Sequence, residues 1–167
     1  MITVRPARLE DADAIARIYS IGITDRTATF DTEPRTAADI VPKIEDSARF
    51  PQLVAVDERG AVWGWVGTSP YRPRACYAGI GEFSIYLDPG VRGRGVGKLL
   101  LSALIDAAQA AGFWKLLSRV FTFNHASLSV CRACGFREVG TYEKHGKLDG
   151  RWLDVVIVER LIPENLT

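Results

Sequence analysis

The stretch that most constrains this chain is Glu82-Phe-Ser-Ile-Tyr-Leu-Asp-Pro-Gly-Val-Arg-Gly-Arg-Gly-Val-Gly-Lys98. An apolar strand runs into a turn with alternating Gly93, Gly95 and Gly97, and the turn opens a long helix. Val96, Leu99, Leu100, Ala103, Leu104, Ala107 and Ala111 recur there at helical spacing, and Gly112 is placed to end the helix. Backbone N–H groups at a helix start, freed of side-chain bulk by glycine, form a site for phosphate oxygens. Arg92, Arg94 and Lys98 add the positive charge that suits a pyrophosphate. Glu82 places one carboxylate on the strand that feeds this turn. The stretch therefore predicts a phosphorylated ligand held beside an acid–base group. The G-x4-G-K-[ST] spacing of a nucleotide-triphosphate loop is missing, and the chain is not doubly wound from its first strand as a dinucleotide fold would be.

The rest of the chain supplies a sheet and its covering helices. Ile2 to Arg5 reads as a strand, and Glu10, Asp11 and Asp13 put negative charge where a helix start favours it. Thr36 is placed to cap a second helix through about Ser47, made irregular by Pro42. Leu53–Val56 and Ala61–Thr68 pair across the Asp57–Gly60 turn, and Ser69 to Gly81 reads as a loop. A buried strand at Leu116–Phe121 precedes a helix capped by Asn124 and stopped by Gly135. Val139–Tyr142 and Trp152–Val158 are the last strands, with a turn over Gly146–Gly150 between them. The order is βααβββαβαββ, an α/β fold with a mixed sheet, expected as one domain over residues 1–167.

Composition excludes several classes. A net charge of +1 points to neither nucleic acid nor an anionic membrane surface. No apolar run approaches the roughly 20 residues of a membrane helix, and residues 1–6 lack a signal peptide's pattern. Three cysteines make no disulfide framework, so a reducing cytoplasm is expected. Cys131-x-x-Cys134 has no second pair, and His125 and His145 complete no zinc spacing, so no metal is expected.

Arg92-x-x-Gly95-x-Gly97 between strand and helix resembles the coenzyme A pyrophosphate loop of the GNAT N-acetyltransferase superfamily, and Asn124-x-x-Ser127 with Gly135-Phe136 is similar to its second motif. Thr32-Glu-Pro34, Glu82-x-Ser-x-Tyr86 and Gly150-Arg-Trp-x-Asp-Val155 resemble the branch that acetylates phosphinothricin, arsinothricin, methionine sulfone and methionine sulfoximine. The resemblance spans nearly the whole chain. It implies the GNAT acyltransferase fold of about seven strands and four helices, acetyl-CoA as co-substrate, a small-molecule amine acceptor and a homodimer.

It also implies roles. Ile85, Tyr86 and Leu87 would offer backbone groups to the pantetheine arm; Arg92, Gly93, Arg94, Gly95, Val96, Gly97 and Lys98 would hold the pyrophosphate; Asn124 and Ser127 would bind the far arm. Glu82 would be the general base, because an attacking amine must be neutral while a free α-ammonium has a pKa of about 8. Arg72 and Arg74 are candidates for a clamp on a carboxylate or phosphinate, with Tyr77, Phe30, Glu33 and His145 as further acceptor-lining residues. The sequence departs from the branch at Ile80-Gly81, where Thr-Val is common, and at Cys131, where histidine is common. The acid that protonates the leaving thiolate is therefore open between Cys131, water and another side chain. Two other functions fit the same motifs: an acetyltransferase for protein or peptide N-termini, and a non-catalytic acetyl-CoA sensor.

Overall fold

In the computed structural model, which describes residues 1–167, seven strands and four α-helices follow in the order β1 (Thr3–Pro6), α1 (Ala12–Asp25), α2 (Ala37–Glu45), β2 (Gln52–Val56), β3 (Val62–Pro70), β4 (Ile80–Leu87), α3 (Val96–Ala110), β5 (Lys115–Phe121), α4 (His125–Ala133), β6 (Arg137–Leu148) and β7 (Arg151–Leu161). The strands form one sheet, β1-β2-β3-β4-β5-β7-β6. Neighbours are antiparallel except β4 and β5, which run parallel because α3 carries the chain back between them. The expected mixed α/β architecture is present. No helix is long and apolar enough to cross a membrane.

Apolar periodicity decides which helix covers which face. Ile15, Ile18, Ile40 and Ile44 of α1 and α2 bury themselves against Val54, Val56, Trp65 and Tyr86. On the other face Leu100, Leu101, Leu104 and Ile105 of α3 pack on Leu53, Val66, Phe83 and Leu116, with Leu128 of α4. Strand side chains alternate between faces. Phe83, Ile85 and Leu87 of β4 belong to the α3 side, so Glu82 and Ser84 share the α1–α2 side with Tyr86.

One feature of the sheet creates the site. β4 pairs with β5 only from Ile80 to Glu82, against Lys115 to Leu117. At the fork the Ser118 hydroxyl donates to the Phe83 carbonyl (2.8 Å), and beyond it the strands separate. β4 keeps its partner β3 through Leu87 and leaves its other edge open.

Three local expectations change. The last hairpin is longer than the sequence indicated: β6 runs to Leu148, and only Asp149 and Gly150 turn, with φ of 49° and 79°. A two-residue loop of left-handed residues matches the twist of the flanking strands, so Gly146, Lys147 and Leu148 stay in the strand. Gly146 is needed there, because a Cβ would stand 2.9 Å from the Phe30 ring. The segment after β3 is shorter than Ser69–Gly81, because Ser69 and Pro70 continue β3 and Ile80 and Gly81 begin β4. α2 ends at Glu45, short of Ser47, with Pro42 inside it and a Thr36–Asp39 capping box at its start.

Candidate functional site

Where β4 and β5 part, a cleft of about 440 Å³ opens along Ile85, Tyr86 and Leu87 and is closed by Arg92, Gly97, Asn124 and Ser127. Gly93 and Gly95 adopt φ of 75° and 78°, a region other L-residues enter at a cost. Open space surrounds both where a Cβ would stand. The N–H groups of residues 93–98 find no acceptor inside the protein, because α3 starts at Val96 and its N-cap is Gly95, which has no side chain to cap with. Free donors, a helix N-terminus and an open strand edge thus line one groove. That donor set fits a pyrophosphate followed by an amide-bearing arm.

The individual residues divide by role. Arg92 reaches Asp25 at 3.2 Å and borders the cleft. Arg94 on the same loop and Lys98 in the first turn of α3 are exposed. Val96 buries its side chain in the core, which leaves only its backbone N–H for a ligand. Asn124 caps α4 by accepting from the Ser127 N–H at 3.2 Å and donates to the Thr27 carbonyl at 3.1 Å, which ties α4 to the segment after α1.

A second cavity of about 310 Å³ adjoins the first and shares Ala28 and Tyr86 with it. Glu82 lies here, about one-fifth exposed. Both its oxygens accept from one nitrogen, Nη2 of Arg119 on β5, at 2.8 and 3.1 Å. Asp31 lines the same cavity and accepts from the Tyr19 hydroxyl at 2.6 Å, with Arg35 3.2 Å away. Burial works against the Asp31 charge, but the bonds from Tyr19, Arg35 and Thr29 outweigh it and hold the carboxyl below its usual range. Burial and the bond to Asp31 push the Tyr19 phenol up to about 12, and burial raises Tyr86 as well. Tyr19 stacks on Tyr86 with ring centres 4.6 Å apart, and Trp65 stacks behind.

Of the acceptor-lining candidates, Phe30 and His145 border this cavity. Phe30 packs edge-on against Phe121 at 4.9 Å, and His145 sits beside Tyr142 at 5.0 Å. Arg72, Arg74, Tyr77 and Glu33 line neither cavity. Arg72 lies over Tyr71 and Arg74 over Tyr77, at 5.1 and 5.7 Å, on the connection that leaves β3 beside Glu82. Cys131 is buried and borders a constriction of about 60 Å³ between the two cavities; burial, then neighbouring Cys134, pushes its thiol up to about 12.

Sequence reasoning did not single out Arg119, Tyr19 or Asp31. Arg119 had one visible signal, a Ser-Arg pair inside the otherwise apolar strand Leu116–Phe121. Tyr19 reads as one more apolar position of α1, and its partner Asp31 comes from an aperiodic segment.

The acetyltransferase (GNAT) domain model matches residues 2–137. A phosphinothricin N-acetyltransferase of Streptomyces coelicolor is 34% identical over 163 residues, 95% of each chain. An L-methionine sulfoximine/L-methionine sulfone acetyltransferase of Pseudomonas aeruginosa is 32% identical over 159 residues, 94% of this chain and 92% of that one. The crystal structure of a GNAT superfamily phosphinothricin acetyltransferase from Sinorhizobium meliloti in complex with AcCoA superposes with a TM-score of 0.90 at 34% identity, covering 96% of this chain and 88% of that one.

Proposed function

The chain belongs to the GNAT acetyltransferase family and is an acetyl-CoA-dependent N-acetyltransferase; on that premise we propose that it acetylates the α-amine of a small amino-acid-like acceptor, with Glu82 as general base. The observation that carries this reading is the placement of Glu82 in a cavity of about 310 Å³ that opens onto the cofactor groove at the β4–β5 fork. Both curated relatives above are named for small amino-acid-like acceptors.

When bound, acetyl-CoA supplies an acyl group already activated as a thioester, so no acyl-enzyme is needed. The open edge of β4, the loop N–H groups of residues 93–98 and the end of α4 at Asn124 and Ser127 hold and orient it. Glu82 takes a proton from the acceptor's ammonium, directly or through one water, and leaves a neutral nitrogen to attack. Cys131, held as a neutral thiol, can donate a hydrogen bond in the constriction, but a group near 12 is a poor source of a proton for a thiolate of ordinary pKa. The attacking nitrogen carries a second proton into the adduct, and that proton, relayed by water, is the one the leaving thiolate takes up as the C–S bond breaks. Phe30 and His145 line the acceptor's path. The protein works as a single domain, in the cytoplasm and as a homodimer; the exposed edge strand β6, with Val139 and Tyr142, is the face open to a second copy.

A thiol-release screen tests the reading. Phosphinothricin, arsinothricin, methionine sulfone, methionine sulfoximine, the common amino acids and short peptides are each offered with acetyl-CoA. Turnover is expected on α-amino acids with a short polar or anionic side chain. Reaction with peptides alone would replace it with N-terminal protein acetylation, and acetyl-CoA binding without any turnover would leave a sensor.

A further inference from the structure

We infer that the Glu82–Arg119 ion pair recognises the acceptor's α-amino-acid head group, with Arg119 taking the carboxylate while Glu82 takes the ammonium. This rests on the N-acetyltransferase reading above and adds the residue that selects the acceptor class.

The free donors of Arg119 carry the inference. Its guanidinium uses one nitrogen, Nη2, for both Glu82 oxygens, while Nη1 and Nε find no acceptor in the protein. Arg119 borders both the acceptor cavity and the constriction that leads to the cofactor groove. It is the only arginine lining that cavity, and His145 is the only other side chain there that can become positive. Arg35 is tied to Asp31, and Asp31 is itself satisfied by Tyr19. A carboxylate leaving water for this cavity needs a cation, and a guanidinium fork matches its two oxygens.

Charge spacing supports the same match. In an α-amino acid the ammonium nitrogen and the carboxyl carbon lie roughly 2.5 Å apart, from standard bond lengths and angle. The protein pair presents opposite charges at a 2.8 Å contact. A zwitterion laid across it exchanges one ion pair for two, each group facing its opposite. It also draws the guanidinium toward the substrate and frees a Glu82 oxygen for the amine proton. A simple amine leaves Arg119 covering both Glu82 oxygens.

The test compares the best α-amino-acid acceptor with the same molecule lacking its carboxylate, in the wild type, Arg119→Gln and Arg119→Lys, with kcat and KM measured separately. The wild type is expected to prefer the carboxylate-bearing acceptor. In Arg119→Gln the KM for that acceptor rises about 10- to 100-fold, as for loss of a charge-assisted contact, while the KM for acetyl-CoA and for the decarboxylated amine hold. Arg119→Lys keeps part of the preference and carries the test should the Gln variant fail to fold. Equal loss of kcat on both acceptors with KM unchanged would assign Arg119 to steadying Glu82 and overturn the inference. So would a wild type indifferent to the carboxylate. A wild type silent on every α-amino acid defeats the small-acceptor reading on which this rests; an active wild type with unaffected variants defeats this inference alone.

Discussion

The proposed cofactor loop takes its binding groups from one contiguous piece of backbone, Arg92 to Lys98, whereas the proposed acceptor cavity collects side chains from α1, the segment after it, β4, β5, β6 and β7. The first depends on what glycine lets the main chain do: Gly93 and Gly95 stand at positive φ, and the N–H groups of residues 93–98 are left free. The second depends on pairings across long sequence separations, Glu82 with Arg119 and Tyr19 with Asp31. A backbone site recognises a group that every reaction shares, the pyrophosphate. A side-chain site can be altered one residue at a time without disturbing it, and the proposed function puts acceptor choice there.

Substitutions can break that division. The largest effect is expected from Glu82→Gln, which keeps the shape and one of the two oxygens that accept from Arg119 but removes the base; kcat falls about 10²- to 10⁴-fold in a steady-state thiol-release assay. A loss under threefold would show that the amine is deprotonated elsewhere. Gly95→Val acts on the other region. A β-branched residue at φ 78° carries left-handed strain of about 1–2 kcal/mol. It should raise the KM for acetyl-CoA roughly tenfold and leave the acceptor KM near its original value. Equal shifts in both would mean that the regions are not separable.

Asp31→Asn sharpens the acceptor side. The Asp31 carboxyl is depressed in the folded protein, so its contribution to stability is present above the unfolded aspartate value of about 3.9 and is lost as pH falls through the lower folded value. The variant should melt about 2–4 °C below the wild type at neutral pH, for about one lost hydrogen bond, and the gap should close in acid. A gap independent of pH would remove the carboxylate from the account. The smallest signal concerns Cys131. With its thiol pushed up to about 12 and buried, iodoacetamide at about pH 8 should label exposed Cys76 and leave Cys131 intact, as read by peptide mass mapping. Rapid labelling of Cys131 would show a thiolate at the constriction.

The same division explains what the sequence disclosed. The helix on Val96–Ala110 was legible because its apolar residues repeat at 3.6, and the loop before it because glycines at alternate positions are a backbone statement. Glu82 was legible because it stands on the strand that enters the loop. Arg119 was not, because its partner lies 37 residues away and β4 and β5 meet only through the crossover of α3. Arg72 and Arg74 suggested a clamp by their spacing, but sequence spacing does not say whether a loop folds inward, and here both guanidiniums lie over neighbouring tyrosines. The long β6 was cut short because Gly146 looks like a turn residue; its lack of a side chain instead makes room for Phe30.

The most direct test of the division is the dissociation constant of acetyl-CoA measured by calorimetry on Glu82→Gln beside the wild type. A group used for the chemical step and not for holding the co-substrate leaves ground-state binding unchanged, so the two values should agree within about twofold. A tenfold or greater weakening in Glu82→Gln would contradict it, since the carboxylate would then be part of the cofactor site.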